Sequence, residues 1–191
     1  MTHYELTGET TTAFDGTVLQ RIRALIDLPG HGVRTGDLGG FIADVENLSD
    51  HAWVSDHARV SGDARVSGGA QVYGGAQVSG DAWVYGDARV SGGARVSGDA
   101  WVYGDARVER SQDIMAVGPV GSESVTATLF RTAKGHALHV GCWTGTVEDL
   151  AAEVARRAQN WRCDQATTAR YLAEYAALET LCRARISGWT A

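Results

Sequence analysis

With 191 residues, 44% hydrophobic and 21% charged, 24 glycines and only 2 prolines, the chain fits one folded domain or two small ones and does not read as a disordered polymer. Its formal charge of −6 leaves no basic footprint, so direct binding of nucleic acid or anionic lipid is not expected. No run of about 18 apolar residues is present to span a membrane. The opening MTHYELTGET lacks the basic and apolar regions of a secretion signal, and three irregularly spaced cysteines (Cys142, Cys163, Cys182) read as reduced thiols, so a cytoplasmic location is expected.

Residues 1–41 read as an N-terminal β cap. YELTGETTTAFDGTVLQRIRALIDL contains an Asp15-Gly16 turn between β-prone stretches, which predicts a hairpin, and GVRTGDLGGFI leads on through clustered glycines.

From 42 to 108 the chain repeats. DAWVYGDARVSGGARVSG at 81–98 is followed at once by DAWVYGDARV at 99–108. Valine recurs every six residues from Val54 to Val108, alanine stands two before each from Ala52 to Ala106, and Ile42 and Leu48 hold the same register. Alanine and valine two apart point to one side of a short strand, while the residue between them points away. Glycine, often followed by Asp or a second Gly, closes most units and supplies the turn. A strand and a turn every six residues are too short for an ordinary hairpin sheet and suit a parallel solenoid, with three units to a coil.

The pattern resembles the hexapeptide repeat of left-handed parallel β-helices. The fold class this implies is mainly β: a three-sided solenoid with eighteen residues per coil and just under four coils. Register modulo eighteen then sorts the outward side chains onto three faces. One carries Arg65 and Ser67, Trp83 and Tyr85, Trp101 and Tyr103; a second carries Arg59, Gln77 and Arg95; the third carries Trp53, Gln71, Arg89 and Arg107. Trp83 should stack over Trp101 and Tyr85 over Tyr103, forming an aromatic block that should meet a second subunit, the chain's own ends or a ligand. Asp63, Asp81 and Asp99 share one corner and offer oxygen ligands to a hard cation, although Asp there is interchangeable with Gly as a turn former. No metal is assigned.

Residues 109–191 read as a small C-terminal α/β module, because the periodicity stops at Glu109. SVTATLFRT and HALHVGCW predict a hairpin. Thr146 with Asp149 makes a capping box before a helix with Val147, Leu150, Val154, Ala158 and Trp161 on one face. A last helix near 165–186 places Tyr171, Leu172, Tyr175, Leu178, Leu181 and Cys182 at helical spacing, with Gly188 just beyond.

Many left-handed β-helix proteins are acyltransferases, and that likeness implies a histidine base in a cleft between subunits of a trimer. His51 and His57 are the catalytic candidates, with acyl-CoA as the cofactor that reading alone would need. The six-residue period runs without the inserted loop of that family, so catalysis is not the leading expectation. A three-histidine zinc site, known on the same fold, is disfavoured because His51 and His57 fall at different corners. His136, His139 and Cys142 in HALHVGC are explained by strand packing as well as by thiol chemistry.

The flanks are similar to those of phage- and prophage-encoded hexapeptide-repeat proteins, through GTVLQRIRALIDLPGHGVRTGDLGGFIADVENLSDHAWV in front and VGPVGSESVTATLFRTAKG and HVGCWTGTVEDLAAEV behind. The resemblance implies a non-catalytic binding or assembly protein in the bacterial host cytoplasm. One version inhibits a host defence component by occlusion or ligand sequestration. The alternatives are a trimeric acyltransferase and a structural virion or scaffold part. The expected partners are further copies of the chain, as a trimer or dimer, and a host protein or small nucleotide, with no membrane partner.

Overall fold

In the computed structural model, which describes residues 2–189, the alanine and valine columns form the inside of a parallel β-solenoid of about four coils. The chain divides between Ile114 and Met115 into two compact units.

The first unit opens with the expected hairpin, β1 (Tyr4–Thr12) and β2 (Val18–Ala24), antiparallel around Asp15-Gly16. Asp15 Oδ1 accepts from the Thr17 amide at 3.0 Å across that turn. Strand β3 (Leu38–Ile42) pairs antiparallel with β2 on one side and parallel with the solenoid on the other. Gly39 and Gly40 make this double pairing possible: a Cβ on Gly39 would stand 2.6 Å from the Val54 carbonyl, and one on Gly40 2.6 Å from that of Ala58.

Ten two-residue strands follow, β4 (Trp53–Val54), β5 (Arg59–Val60), β6 (Arg65–Val66), β7 (Gln71–Val72), β8 (Gln77–Val78), β9 (Trp83–Val84), β10 (Arg89–Val90), β11 (Arg95–Val96), β12 (Trp101–Val102) and β13 (Arg107–Val108). They stack into three parallel sheets, β3-β5-β8-β11 (carrying β1 and β2 at its edge), β4-β7-β10-β13 and β6-β9-β12. Every pairing joins residues eighteen apart, as in Trp83 to Trp101 and Arg59 to Gln77. Ile42 pairs with Val60, and Leu48 bridges to Val66, as their register predicts. The inward Ala and Val side chains are buried from Ala52 to Val108, each valine worth roughly 1.5–3 kcal/mol of apolar transfer before entropy is subtracted.

The first coil is closed by one side chain. A short 3-10 turn, Val45–Asn47, replaces the usual corner, so backbone N–H groups there no longer reach the coil above. The side-chain amide of Asn47, 1% exposed, takes their place: Nδ2 donates to Gly62 O at 2.9 Å and Ala64 O at 2.8 Å, while Oδ1 accepts from Ala43 and Asp44 N–H. The last coil repeats the accepting half. After Val108 the turn Ser111–Asp113 brings Asp113 Oδ2 to the Glu109 and Arg110 amides, and Ile114, buried, keeps the six-residue spacing. The periodicity therefore outlasts the glycines and ends one unit beyond Glu109.

Trp53 departs from expectation. Its position in the register points outward, yet it is 3% exposed, because the start of β1 folds back over the first coil. His3 lies 6.3 Å from the Trp53 ring and donates from Nε2 to Ala52 O, and Tyr4 Oη donates to Val45 O at 2.9 Å. Burial pushes the Tyr4 phenol up to about 12 and lowers the His3 imidazole, which is held neutral.

The His3 shift sets a pH dependence. A histidine lowered in the folded state stabilises fully above its unfolded value, about pH 6.5, and loses that contribution as pH falls below it. The exposed carboxylates Asp15 and Asp27, held low by hydrogen bonds, titrate only in a more acid window. Between about pH 7.5 and about pH 5.5 the urea midpoint of the first unit should fall, and His3→Gln should fall less. Equal slopes for the two proteins would contradict a buried neutral His3.

The second unit is an antiparallel sheet, β14 (Ile114–Val120), β15 (Val125–Thr132), β16 (Gly135–Val140) and β17 (Trp143–Gly145), followed by α1 (Leu150–Ala158) and α2 (Gln165–Ser187). The predicted hairpin is β15–β16; β14 and β17 extend it on either edge. The Thr146 amide and Oγ1 both donate to Asp149 Oδ2, starting α1 through a 3-10 turn, and Asp164 caps α2 by accepting from Thr167 N–H at 2.7 Å. Leu129, Leu138, Val147, Leu150, Val154, Tyr175, Leu178 and Cys182 form the core. Leu172 and Leu181, expected on the packed stripe, are 42% and 46% exposed. At about 100° per residue they fall roughly a quarter turn to either side of the Tyr175–Leu178–Cys182 line. Among the described residues no helix is long and apolar enough to cross a membrane.

Candidate functional site

Two outward features of the first unit carry chemistry. The aromatic block forms on the sheet β6-β9-β12 as its register predicts. Parallel neighbours about 4.8 Å apart match the centroid separation of offset-stacked rings. Trp83 lies 5.1 Å from Trp101 with planes 4° apart, Tyr85 4.8 Å from Tyr103 at 12°, and Tyr85 meets Trp101 edge-on at 6.2 Å. The Arg65 guanidinium continues the column 5.6 Å above the Trp83 ring. Trp83 is 39% exposed, and the other three rings are half-buried. Burial, with Tyr103 beside it, raises the Tyr85 phenol.

The remaining candidates are dispersed. His51 and His57 follow Asp50 and Asp56 at different corners, both exposed, and among the described residues neither imidazole is hydrogen-bonded to a carboxylate. Asp63, Asp81 and Asp99 lie exposed on the outside of one corner, and among the described residues no group of three His, Cys, Asp or Glu is placed to hold a metal ion. His136 and His139 lie on opposite faces of β16. His139 is buried, with Nδ1 3.2 Å from Thr144 Oγ1 and its pKa lowered by burial, whereas His136 Nε2 accepts from Val147 N–H. Cys142 is exposed with its Sγ 3.4 Å from the Arg157 guanidinium, so HALHVGC gathers no reactive pair.

The second feature is a cleft of about 660 Å³ on the sheet β4-β7-β10-β13. Its overhanging wall is the loop 26–31, with Ile26, Leu28 and Pro29; its floor is Gln71, Arg89 and Arg107, on successive rungs. One histidine fixes the overhang. His31 Nε2 donates to His51 O at 2.6 Å and Nδ1 accepts from the Gln71 amide at 2.6 Å, so the loop is pinned to two coils. Arg107 Nη1 donates to Asp87 O at 3.1 Å and Ala106 O at 2.7 Å. Neither Arg89 nor Arg107 forms an ion pair among the described residues. The repeat register places Gln71, Arg89 and Arg107 in one column, but the overhang depends on a loop some forty residues away, for which the repeat holds no signal.

The chain is thus a parallel β-solenoid repeat protein with a second, α/β unit. Its repeats are similar to a family described as YdcK beta solenoid repeat, whose model matches residues 58–74, 76–92, 83–98 and 88–104. No curated protein matches the chain.

Proposed function

We propose that this solenoid is a non-catalytic binding or assembly protein of the kind phages and prophages encode, working in the bacterial cytoplasm, and that it assembles as a dimer or trimer of its own chain. The observation that carries the reading is the aromatic ladder, in which Trp83 keeps 39% of its surface exposed while stacked on Trp101. Rings already held in place lose little side-chain freedom when they are covered, and Trp and Tyr are the residues most enriched where surfaces meet. The uninterrupted ladder and the dispersal of His51 and His57 favour binding over acyl transfer. Inhibition of a host defence component, by occlusion or by sequestering a nucleotide, is the specific version that the phage-like flanks support.

Native mass spectrometry of the purified chain beside Trp83→Ala tests this. The wild type should be oligomeric and the variant should shift toward monomer, with an unchanged circular dichroism spectrum. A wild-type monomer with nothing bound would remove the assembly reading. Acyl-CoA turnover lost in His51→Ala would overturn the non-catalytic one.

A further inference from the structure

We propose that the cleft beneath the loop 26–31 is a binding site for a small organic anion, a phosphate ester or carboxylate attached to a flat apolar group. The inference goes beyond the binding reading, since it concerns another sheet and stands whether or not the aromatic ladder meets a partner.

The charge argument starts from the rungs. Arg89 and Arg107 are register partners on adjacent strands, so two guanidinium stems start about 4.8 Å apart. Like charges directly opposed across a ladder are destabilising, and neighbouring rungs of this sheet avoid the conflict with Trp53 and Gln71. Here the repulsion is not relieved by an ion pair from the described residues. Two carboxylates line the same cleft. Both the amide and the hydroxyl of Thr35 donate to Asp27 Oδ1, at 2.7 and 2.9 Å, which occupies that carboxylate and holds it below the usual range. Asp87 offers Arg107 its backbone carbonyl, at 3.1 Å, and its carboxylate pairs with neither arginine.

The geometry is prepared in advance. The two carbonyls that bind Arg107 Nη1 fix the guanidinium plane and leave its other N–H groups to a ligand, as forked recognition of phosphate or carboxylate requires. Arg89, exposed, supplies the second positive charge. Opposite them, Ile26 keeps 43% of its surface exposed and stands with Leu28 and Pro29 as an apolar wall. A volume of about 660 Å³ lies within the range of small-molecule clefts, with a few convergent polar groups against apolar walls. The anionic group would lie across the arginines and the apolar portion under the loop.

The test is a titration of the full chain with phenyl phosphate, followed by amide chemical shifts, with inorganic phosphate and benzoate as comparison probes. Saturable shifts should cluster at 26–31, 69–71 and 87–89. Phenyl phosphate should bind about tenfold or more tightly than inorganic phosphate, because only it reaches the apolar wall. Arg89→Gln and Arg107→Gln should each weaken it about tenfold or more, whereas Arg95→Gln, an exposed arginine on another sheet, should leave it unchanged. Benzoate binding alongside phenyl phosphate would mark a general anion site, and benzoate silence a phosphate-selective one; either keeps the proposal. Absence of saturation with all three probes, or an equal loss in Arg95→Gln, would overturn it. Arg89 is exposed, so its variant decides the matter even if Arg107→Gln does not fold.

Discussion

Asn47→Asp should be among the most damaging single-atom changes in the first unit. The native amide donates twice, to Gly62 O and Ala64 O, and accepts twice, from Ala43 and Asp44 N–H. At the next corner of the same coil, the carbonyls at the corresponding positions are met by backbone N–H groups, as Gly68 O is by His51 and Ala70 O by Trp53. The 3-10 turn at 45–47 withdraws those backbone donors, so only a side chain with both donors and an acceptor can close the coil. A carboxylate keeps the accepting half and turns negative oxygen toward two carbonyl oxygens that now lie 2.8–2.9 Å from Nδ2. Buried polar groups left unmet cost about 1–3 kcal/mol each, so Asn47→Ala should lose about 3–5 kcal/mol and Asn47→Asp at least as much at neutral pH. For a chain of this size that corresponds to roughly 10 °C or more in Tm. The two variants part company in acid. The introduced carboxyl is raised in the folded state, so relative to wild type at the same pH the Asp variant should recover stability as pH falls, and the Ala variant should not. Thermal melts of both across pH check this. An Asp variant melting within about 2 °C of wild type would show that Asn47 does not close the coil.

The contrast between Asn47 and its surroundings explains how much of this fold was legible in the sequence. The solenoid could be read because its period is its register: a valine every six residues that pairs eighteen on determines both which side chains are core and which stack outside. That logic placed Ile42 and Leu48 in the ladder and Trp83 over Trp101. The hairpins and helices were readable from local turn and cap chemistry at Asp15-Gly16, Thr146–Asp149 and Gly188. What escaped depends on single long-range contacts. Trp53 looks like any outward rung residue until His3, fifty residues earlier, bonds to Ala52 O beside it. The arginine cleft exists because His31 reaches both His51 and Gln71. Asn47 and Asp113 carry no periodic signal, since each ends the ladder rather than repeating it. Strand β14 was hidden by Gly118-Pro119, which interrupts the alternation that marks a strand.

The second large effect lies in the glycine column, where Gly80→Val should cost about 3–4 kcal/mol while Gly80→Asp costs far less. Gly80 sits at φ +70°, and a Cβ there would stand 2.9 Å from the Gly98 amide nitrogen and 3.2 Å from its Cα. Two demands coincide: left-handed backbone and close approach of the next coil. A β-branched residue meets neither, because its second γ carbon crowds the backbone in that conformation and the contact above cannot yield without displacing a rung. Aspartate meets both, and the molecule already contains the proof. Asp50 and Asp56 hold the equivalent turn position at the other two corners of the first coil, at φ +56° and +57°, and their Oδ2 atoms accept from the amides of Gly68 and Gly74, eighteen residues on, at 3.1 and 3.0 Å. The steric approach that forbids valine becomes a hydrogen bond for a short carboxylate. Melts of the two variants beside wild type give the answer. If valine is tolerated as well as aspartate, the column is glycine for some reason other than its φ and the spacing of the coils. If aspartate is tolerated and valine is not, the corner obeys one rule throughout: any residue that accepts a left-handed turn and offers the next coil an acceptor will do, and glycine is the one that does so by offering nothing in the way.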